Sequence, residues 1–401
     1  MVKLVKPDDT KVVSGVKQGL ARVDEIYQNR SQRARELKAE GKKVIGYLCI
    51  YPVLEVMTAL DLVPYRIFGD MRDPITRAGA YLPAAMCSFL RSILDQGLKG
   101  KYEFFDGIVM SHICDIGADI FDKWNVGVGS KYSYFIDTPH TVHGSAQEQH
   151  LVLVRAYIKD IEKFAGKKLT TEKLNEAIKL HNRQRALVRQ LYELRKSDPP
   201  LVSGAEVLKT IVALMSLPVT EGNQLLEEVI KDVKTRRNEL SKKPARLIIW
   251  GSIIDDRGFL DMIESLDANV VIDDTCVGSR AYFTDVRLTP DPVEGLAEHY
   301  LANIKCPRTY RECDCWAPRK DHMEDLETRF GYIKEYVNDW KVNGAVLQVL
   351  RYCETHGYEL PAIRDYFQSL GIPTLYLEQD YTDTSLAAAK TRVQAFLEVI
   401  G

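Results

Sequence analysis

The sequence predicts an α/β protein: two doubly wound, three-layer domains with parallel sheets, bridged by a helical segment. Three observations carry this. A chain of 401 residues exceeds what one compact core usually organises. Short continuous apolar runs alternate with helical stretches, as in strands covered by helices on both faces. That alternation occurs twice, in the same order, on either side of a long helical interval. The expected division is an N-terminal α/β domain with a leading helix over 1–145, a helical bridge over 146–243, and a C-terminal α/β domain over 244–401.

The elements follow in order. Thr10 to Glu40 has a charged face and an apolar stripe through Val16, Leu20, Val23 and Tyr27, which predicts a leading helix. "KVIGYLCIY" (Lys43 to Tyr51), "VPYRIFG" (Val63 to Gly69), "GIVMSH" (Gly107 to His112) and "YSYFID" (Tyr132 to Asp137) read as strands. Helices fit between them at Val53–Leu62, Ala84–Gln96 and Asp115–Trp124. From Ala146 to Ser241 the pattern is helical, broken at "SDPPLVSG" (Ser197 to Gly204). Strands resume at "RLIIWGS" (Arg246 to Ser252), "NVVIDDT" (Asn269 to Thr275), "GAVLQVL" (Gly344 to Leu350) and "PTLYLEQD" (Pro373 to Asp380). Their helices fit Phe259–Leu266, Val293–Leu301, Met323–Trp340, Ala362–Leu370 and Ser385–Ile400. "ALDLVPYRIFGD" in the first half is loosely echoed by "SLDANVVIDDT" in the second.

Composition narrows the class. The chain is 45% hydrophobic and 27% charged with a net charge of −2, which is globular and gives no reason to expect nucleic acid or an anionic membrane as partner. The basic stretch "KTRRNELSKK" (Lys234 to Lys243) reads as a solvated helical face. No apolar run approaches the roughly 20 residues that cross a bilayer, and the first residues do not resemble a signal peptide. A cytoplasmic location is expected, where structural disulfides are unusual. The eight cysteines therefore matter by placement rather than by number.

In doubly wound sheets, ligands bind beyond the carboxyl ends of the strands. Cys49, Cys114, Cys276 and Cys353 all fall at or just past such ends, Cys87 opens a helix, and Cys306 precedes a proline. Two domains with facing strand ends would bring these thiols into one cleft. Converging thiolates select a soft metal or an iron–sulfur cluster. The plainer alternative for each cysteine is a small buried hydrophobe. A local array, Cys306, Cys313, Cys315 and His322, has ligands enough for a structural zinc, although its spacing is not that of a zinc finger. His140 and His143 form a loop pair that is ordinarily solvated. No P-loop, no dinucleotide fingerprint in its strand-then-helix context, no nucleophile elbow and no H-E-x-x-H is present, so no nucleotide site is expected in this chain.

The blocks "GYLCIYPVLEVMTALDLVPYRIFG", "MCSFLRSILDQGLKGKYEFFDGIVMSHICD", "VVIDDTCVGSRAYF", "GAVLQVLRYCE" and "LYLEQDYTDTSLAAAKTRVQAFLEVI", in this order, resemble the 2-hydroxyacyl-CoA dehydratase and benzoyl-CoA reductase family over nearly the whole chain. The resemblance implies two flavodoxin-like domains with an iron–sulfur cluster between them, in an oxygen-sensitive enzyme. It also implies a separate ATP-hydrolysing activator that supplies a low-potential electron, and a homologous or identical partner subunit. The substrate so implied is a CoA thioester, with benzoyl-CoA-type reduction ahead of 2-hydroxyacyl-CoA dehydration.

By the same resemblance the three cluster thiolates match Cys87, Cys114 and Cys353, leaving one iron of a [4Fe-4S] cluster open. This sequence departs from a three-cysteine pattern: Cys276, Cys306 and Cys49 could form a second trio, with Cys313 or Cys315 as substitutes for Cys49. That resembles the double-cubane branch of the family, reductases of small molecules. Polar candidates near the cleft are Ser111 and His112, Arg280, which could pair with a CoA phosphate, and Glu378 with Asp380; His112 or Glu378 could donate a proton. Each has a plainer reading as a residue satisfying a strand end. Glu55 reads as a helix-face residue. A zinc-stabilised, non-catalytic binding protein on the same sheets is the alternative from another class.

Overall fold

The computed structural model describes residues 17–236, 240–311 and 321–400. Eight strands form two four-stranded sheets. The first holds β1 (Val44–Tyr47), β2 (Val63–Arg66), β3 (Gly107–Ser111) and β4 (Ser133–Ile136) in the order β2-β1-β3-β4. The second holds β5 (Ala245–Gly251), β6 (Ala268–Asp274), β7 (Gly344–Leu350) and β8 (Thr374–Gln379) in the order β6-β5-β7-β8. Every pairing is parallel. The faint echo between the sequence halves is thus a repeat of topology, and helices cover both sheets as expected for the α/β class.

All eight predicted strands are present, but the first two end early. β1 stops at Tyr47 because the chain leaves the sheet before Cys49, whose left-handed φ of 67° no strand accommodates, and β2, paired with β1, stops level with it at Arg66. The central strands β1, β3, β5 and β7 are buried throughout, whereas β4 and β8 at the edges are half-buried.

Four helix assignments need correction. The leading helix is two, Gly19–Gln28 and Gln32–Ala39, because Asn29 turns out of the helical region; Val16 lies outside the described residues. The bridge is four helices, Gly144–Ala165, Thr171–Glu193, Gly204–Leu214 and Val219–Thr235. Besides the anticipated break, Gly166 ends the first with a left-handed φ of 69°, and Pro218 precedes the last. Met323–Trp340 divides at Gly331 into His322–Phe330 and Tyr332–Asp339. The helix expected at Ala362 begins at Glu354, directly after Cys353, with Pro361 inside it. A proline so placed costs one backbone bond, to the Gly357 carbonyl, without ending the helix. No described helix is long and apolar enough to cross a membrane.

A buried charge cluster ties the bridge to the first sheet. Glu55, with no exposure, accepts from Arg185 Nη2 at 2.7 Å and Tyr300 Oη at 2.8 Å. His181 pairs with Thr58 Oγ1 at 2.9 Å, and His299 sits on a π-helical turn (His299–Asn303) following the helix Pro292–Glu298. Burial alone would push the Glu55 carboxyl up; Arg185, with His181 and His299, overrides it and holds the group at about 2. Burial, then Arg185, holds His299 at about 3. Glu55 is therefore a structural anchor and more than a helix-face residue.

Glu55→Gln is expected to cost about 3–5 kcal/mol, because it leaves the buried Arg185 without its carboxylate. A carboxyl lowered on folding stabilises above its unfolded value and loses that contribution as pH falls. The penalty should hold at neutral pH and shrink between 4.5 and about 2. Urea unfolding of both proteins across pH measures it.

Candidate functional site

Each sheet changes winding direction between its two central strands, so the crevice for a ligand lies past the carboxyl ends of β1 and β3 in one and of β5 and β7 in the other. These ends open onto one cavity. All six described cysteines line it: Cys49 after β1, Cys87, Cys114 after β3, Cys276 after β6, Cys306 and Cys353 after β7. Cys313 and Cys315 lie outside the described residues. Cys114 and Cys353 occupy equivalent places in the two sheets, each starting the helix that follows the third strand of its half.

The thiols fall into two electrostatic groups. Cys87, Cys114 and Cys353 lie close enough that charge on one raises the pKa of another. Cys49, Cys276 and Cys306 form the second such set, and Cys306 also acts on Cys353. Burial dominates in both, pushing Cys87 and Cys114 up to about 12.

The groups offset negative charge differently. Cys87, Cys114 and Cys353 are the N-cap residues of helices Ser88–Leu98, Asp115–Gly127 and Glu354–Ser369. Free N–H groups and the positive end of the helix dipole therefore face each sulfur. Cys114 Sγ accepts from Gly117 N at 3.3 Å, and a Cβ at Gly117 would sit 2.3 Å from Ile113 Cγ1. Around Cys49 and Cys276 the positive charge comes from arginines instead: Arg66 and Arg308 act on the first, Arg280 and Arg66 on the second. The Cys276 turn requires Gly278, where a Cβ would lie 1.7 Å from Asp273 Oδ1. Two of the described non-glycine residues with left-handed φ, Cys49 and Tyr352, line this cavity, so backbone strain is concentrated at its rim.

Behind Cys353 stands a buried chain. Asp274 holds Arg280 at 2.9 and 3.1 Å, and Arg280 Nη1 donates to His356 Nε2 at 2.9 Å. With Nε2 accepting and burial keeping the ring neutral, the proton resides on Nδ1, which faces Cys353 Sγ at 3.4 Å and Thr355 Oγ1 at 3.2 Å. Arg280 thus sits behind the cavity, already paired, away from any CoA phosphate. His112 bonds Asp137 at 2.7 Å and stacks edge-on with His140, outside the cavity lining. Ser111 is buried, and its hydroxyl has no partner among the described residues. Glu378 and Asp380 share Arg351 at 3.0 Å each on the half-exposed edge of the second sheet. His322 is exposed beside Asp365, while Cys306 turns into the cavity. Sequence reasoning missed Arg66, His356 and Arg308. No motif marks them, and only the repeated strand-end topology could have pointed there.

The residues 49–400 match the family model for the 2-hydroxyglutaryl-CoA dehydratase D-component. The chain belongs to this D-component family. It is 26% identical to the (R)-phenyllactyl-CoA dehydratase beta subunit of Clostridium sporogenes over 91% of this chain and 94% of that one. It is 25% identical to one of the subunits of benzoyl-CoA reductase from Thauera aromatica, over 94% and 96%. It is 23% identical to the (R)-2-hydroxyglutaryl-CoA dehydratase beta subunit of Acidaminococcus fermentans, over 90% and 93%. The D-component family is one of dehydratase and reductase subunits, and this chain is an enzyme subunit of that lyase or oxidoreductase type. The donor set fits an iron–sulfur group: it is all sulfur, largely buried and backed by positive charge. Among the described residues no three ligand-type side chains group tightly enough for one metal ion.

In cluster-free, reduced protein at pH 8, a thiol held at about 12 instead of 9 carries about 1,000-fold less thiolate. Cys114, partly exposed like Cys353, should alkylate with iodoacetamide more than about tenfold more slowly than a peptide thiol, the loss of thiolate being offset in part by its greater nucleophilicity, as followed by mass spectrometry.

Proposed function

We propose that this chain is the iron–sulfur component of a dehydratase or reductase acting on a CoA thioester, supplied with low-potential electrons by a separate ATP-hydrolysing activator. The observation that carries this reading is the single cavity into which both halves deliver cysteines. Cys87, Cys114 and Cys353 are the proposed ligands of a [4Fe-4S] cluster, their anionic charge met by three helix N-termini. When bound, such a cluster with one open iron supplies a Lewis-acid site and a strongly reducing electron to a thioester carbonyl. The chain's own part is to bury the site, orient Cys353 through the His356 N–H, and keep water from it with Leu48, Phe89, Ile113 and Ile116 along the lining. That the relatives are each named as subunits supports a homologous or identical partner.

A second reading is favoured by one specific observation. Cys49, Cys276 and Cys306 line the same cavity as the first trio, so six thiols can hold two joined cubanes, as in a double-cubane reductase of small molecules.

Anaerobic purification with iron and acid-labile sulfide analysis decides. About four irons per chain support the first reading and about eight the second; zinc without sulfide overturns both. Cys114→Ala or Cys353→Ala should lose most of the iron. Full iron in either variant would falsify the ligand assignment.

A further inference from the structure

The Cys49–Cys276–Cys306 side of the cavity holds more positive charge than its own carboxylates neutralise. Arg280 is matched by Asp274. Arg308 gives its terminal nitrogens to the carbonyls of Thr138 and Pro139 and to Thr309, and its Nε has no acceptor among the described residues. Arg66, at the carboxyl end of β2, is only 1% exposed and lines the cavity. Its Nε and Nη1 have no hydrogen-bond partner among the described residues. Its neighbours are the faces of Tyr47 and Phe68, 5.7 and 5.9 Å from guanidinium carbon to ring centroid. Asp255 feels its charge, but that carboxyl already accepts from Tyr381 Oη at 2.8 Å and lies 4.0 Å from Arg30.

A buried guanidinium with unused N–H groups is expensive unless an anion completes it. Its two free nitrogens, Nε and Nη1, lie on different edges of the planar guanidinium, and a lysine would keep the charge without that geometry. The geometry points to an anion site in which Arg66, flanked by Arg308, turns an unused N–H towards the anionic sulfur-rich group held by Cys49, Cys276 and Cys306. This rests on the six-thiolate reading above. Arg66 is then a positioning residue: it does not ligate iron, but it sets how readily the group accepts an electron. A nearby fixed positive charge favours the more negative, reduced state and raises the potential.

The test compares the full chain as wild type, Arg66→Met, Arg66→Lys and Cys276→Ser, reconstituted anaerobically with iron and sulfide. Iron content and redox titration followed by electron paramagnetic resonance, without substrate, are the readouts. Arg66→Met is expected either to drop to the iron content of Cys276→Ser or to keep its iron with a midpoint shifted to more negative potential. Arg66→Lys, which keeps the charge, should return most of the midpoint. Wild-type iron with an unmoved midpoint in Arg66→Met overturns the role of Arg66 while leaving the six-thiolate reading standing. Wild-type iron in Cys276→Ser overturns that reading, and the anion site with it.

Discussion

A parallel strand that feeds a helix delivers that helix's N-terminus to the carboxyl edge of its sheet, and this constraint governs the rest of the molecule. The chain meets it twice, with the same strand order, and both carboxyl edges open onto one cavity. Free backbone N–H groups gather there because no earlier turn of helix can accept them. Placing a cysteine at the first position of such a helix gives a sulfur whose surroundings favour negative charge. The fold does this with Cys114 in one half and with Cys353 at the matching place in the other.

Burial opposes the same design. Without a metal the thiols are pushed towards the neutral form, since desolvation outweighs the helix-end donors. The site is thus arranged for charge that only an occupant brings. On one side the compensation is backbone dipoles; on the other it is arginine. The chain Asp274–Arg280–His356 is fully satisfied and orients a proton towards Cys353, whereas Arg66 is left with unused donors. The contrast between a finished network and an unfinished one is the clearest physical sign of where something binds.

The strands were legible in the sequence because a strand buried on both faces must be continuously apolar, and eight such runs stood out. Their carboxyl ends mark Cys49, Cys114, Cys276 and Cys353 from the sequence alone. Helix limits were less legible. The helix expected from Ala362 starts at Glu354 and runs through Pro361, and Gly166 and Gly331 divide stretches whose apolar period continues across them. The polar candidates fared unevenly. Glu378 and His112 are near strand ends in sequence but turn towards surface partners. His356 and Arg66 carry no motif, since their significance comes from what they face across the cavity. Glu55 looked like one helix-face residue among many until the bridge helix brought Arg185 to it.

The most direct test is to locate iron itself. Crystals of the full chain grown without oxygen would be measured on both sides of the iron absorption edge. The account predicts an iron-specific anomalous peak inside the cavity bounded by Cys87, Cys114 and Cys353, extending towards Cys49, Cys276 and Cys306 if six thiolates ligate. An anomalous map with no iron between these sulfurs, in protein shown to contain iron and sulfide, would contradict it.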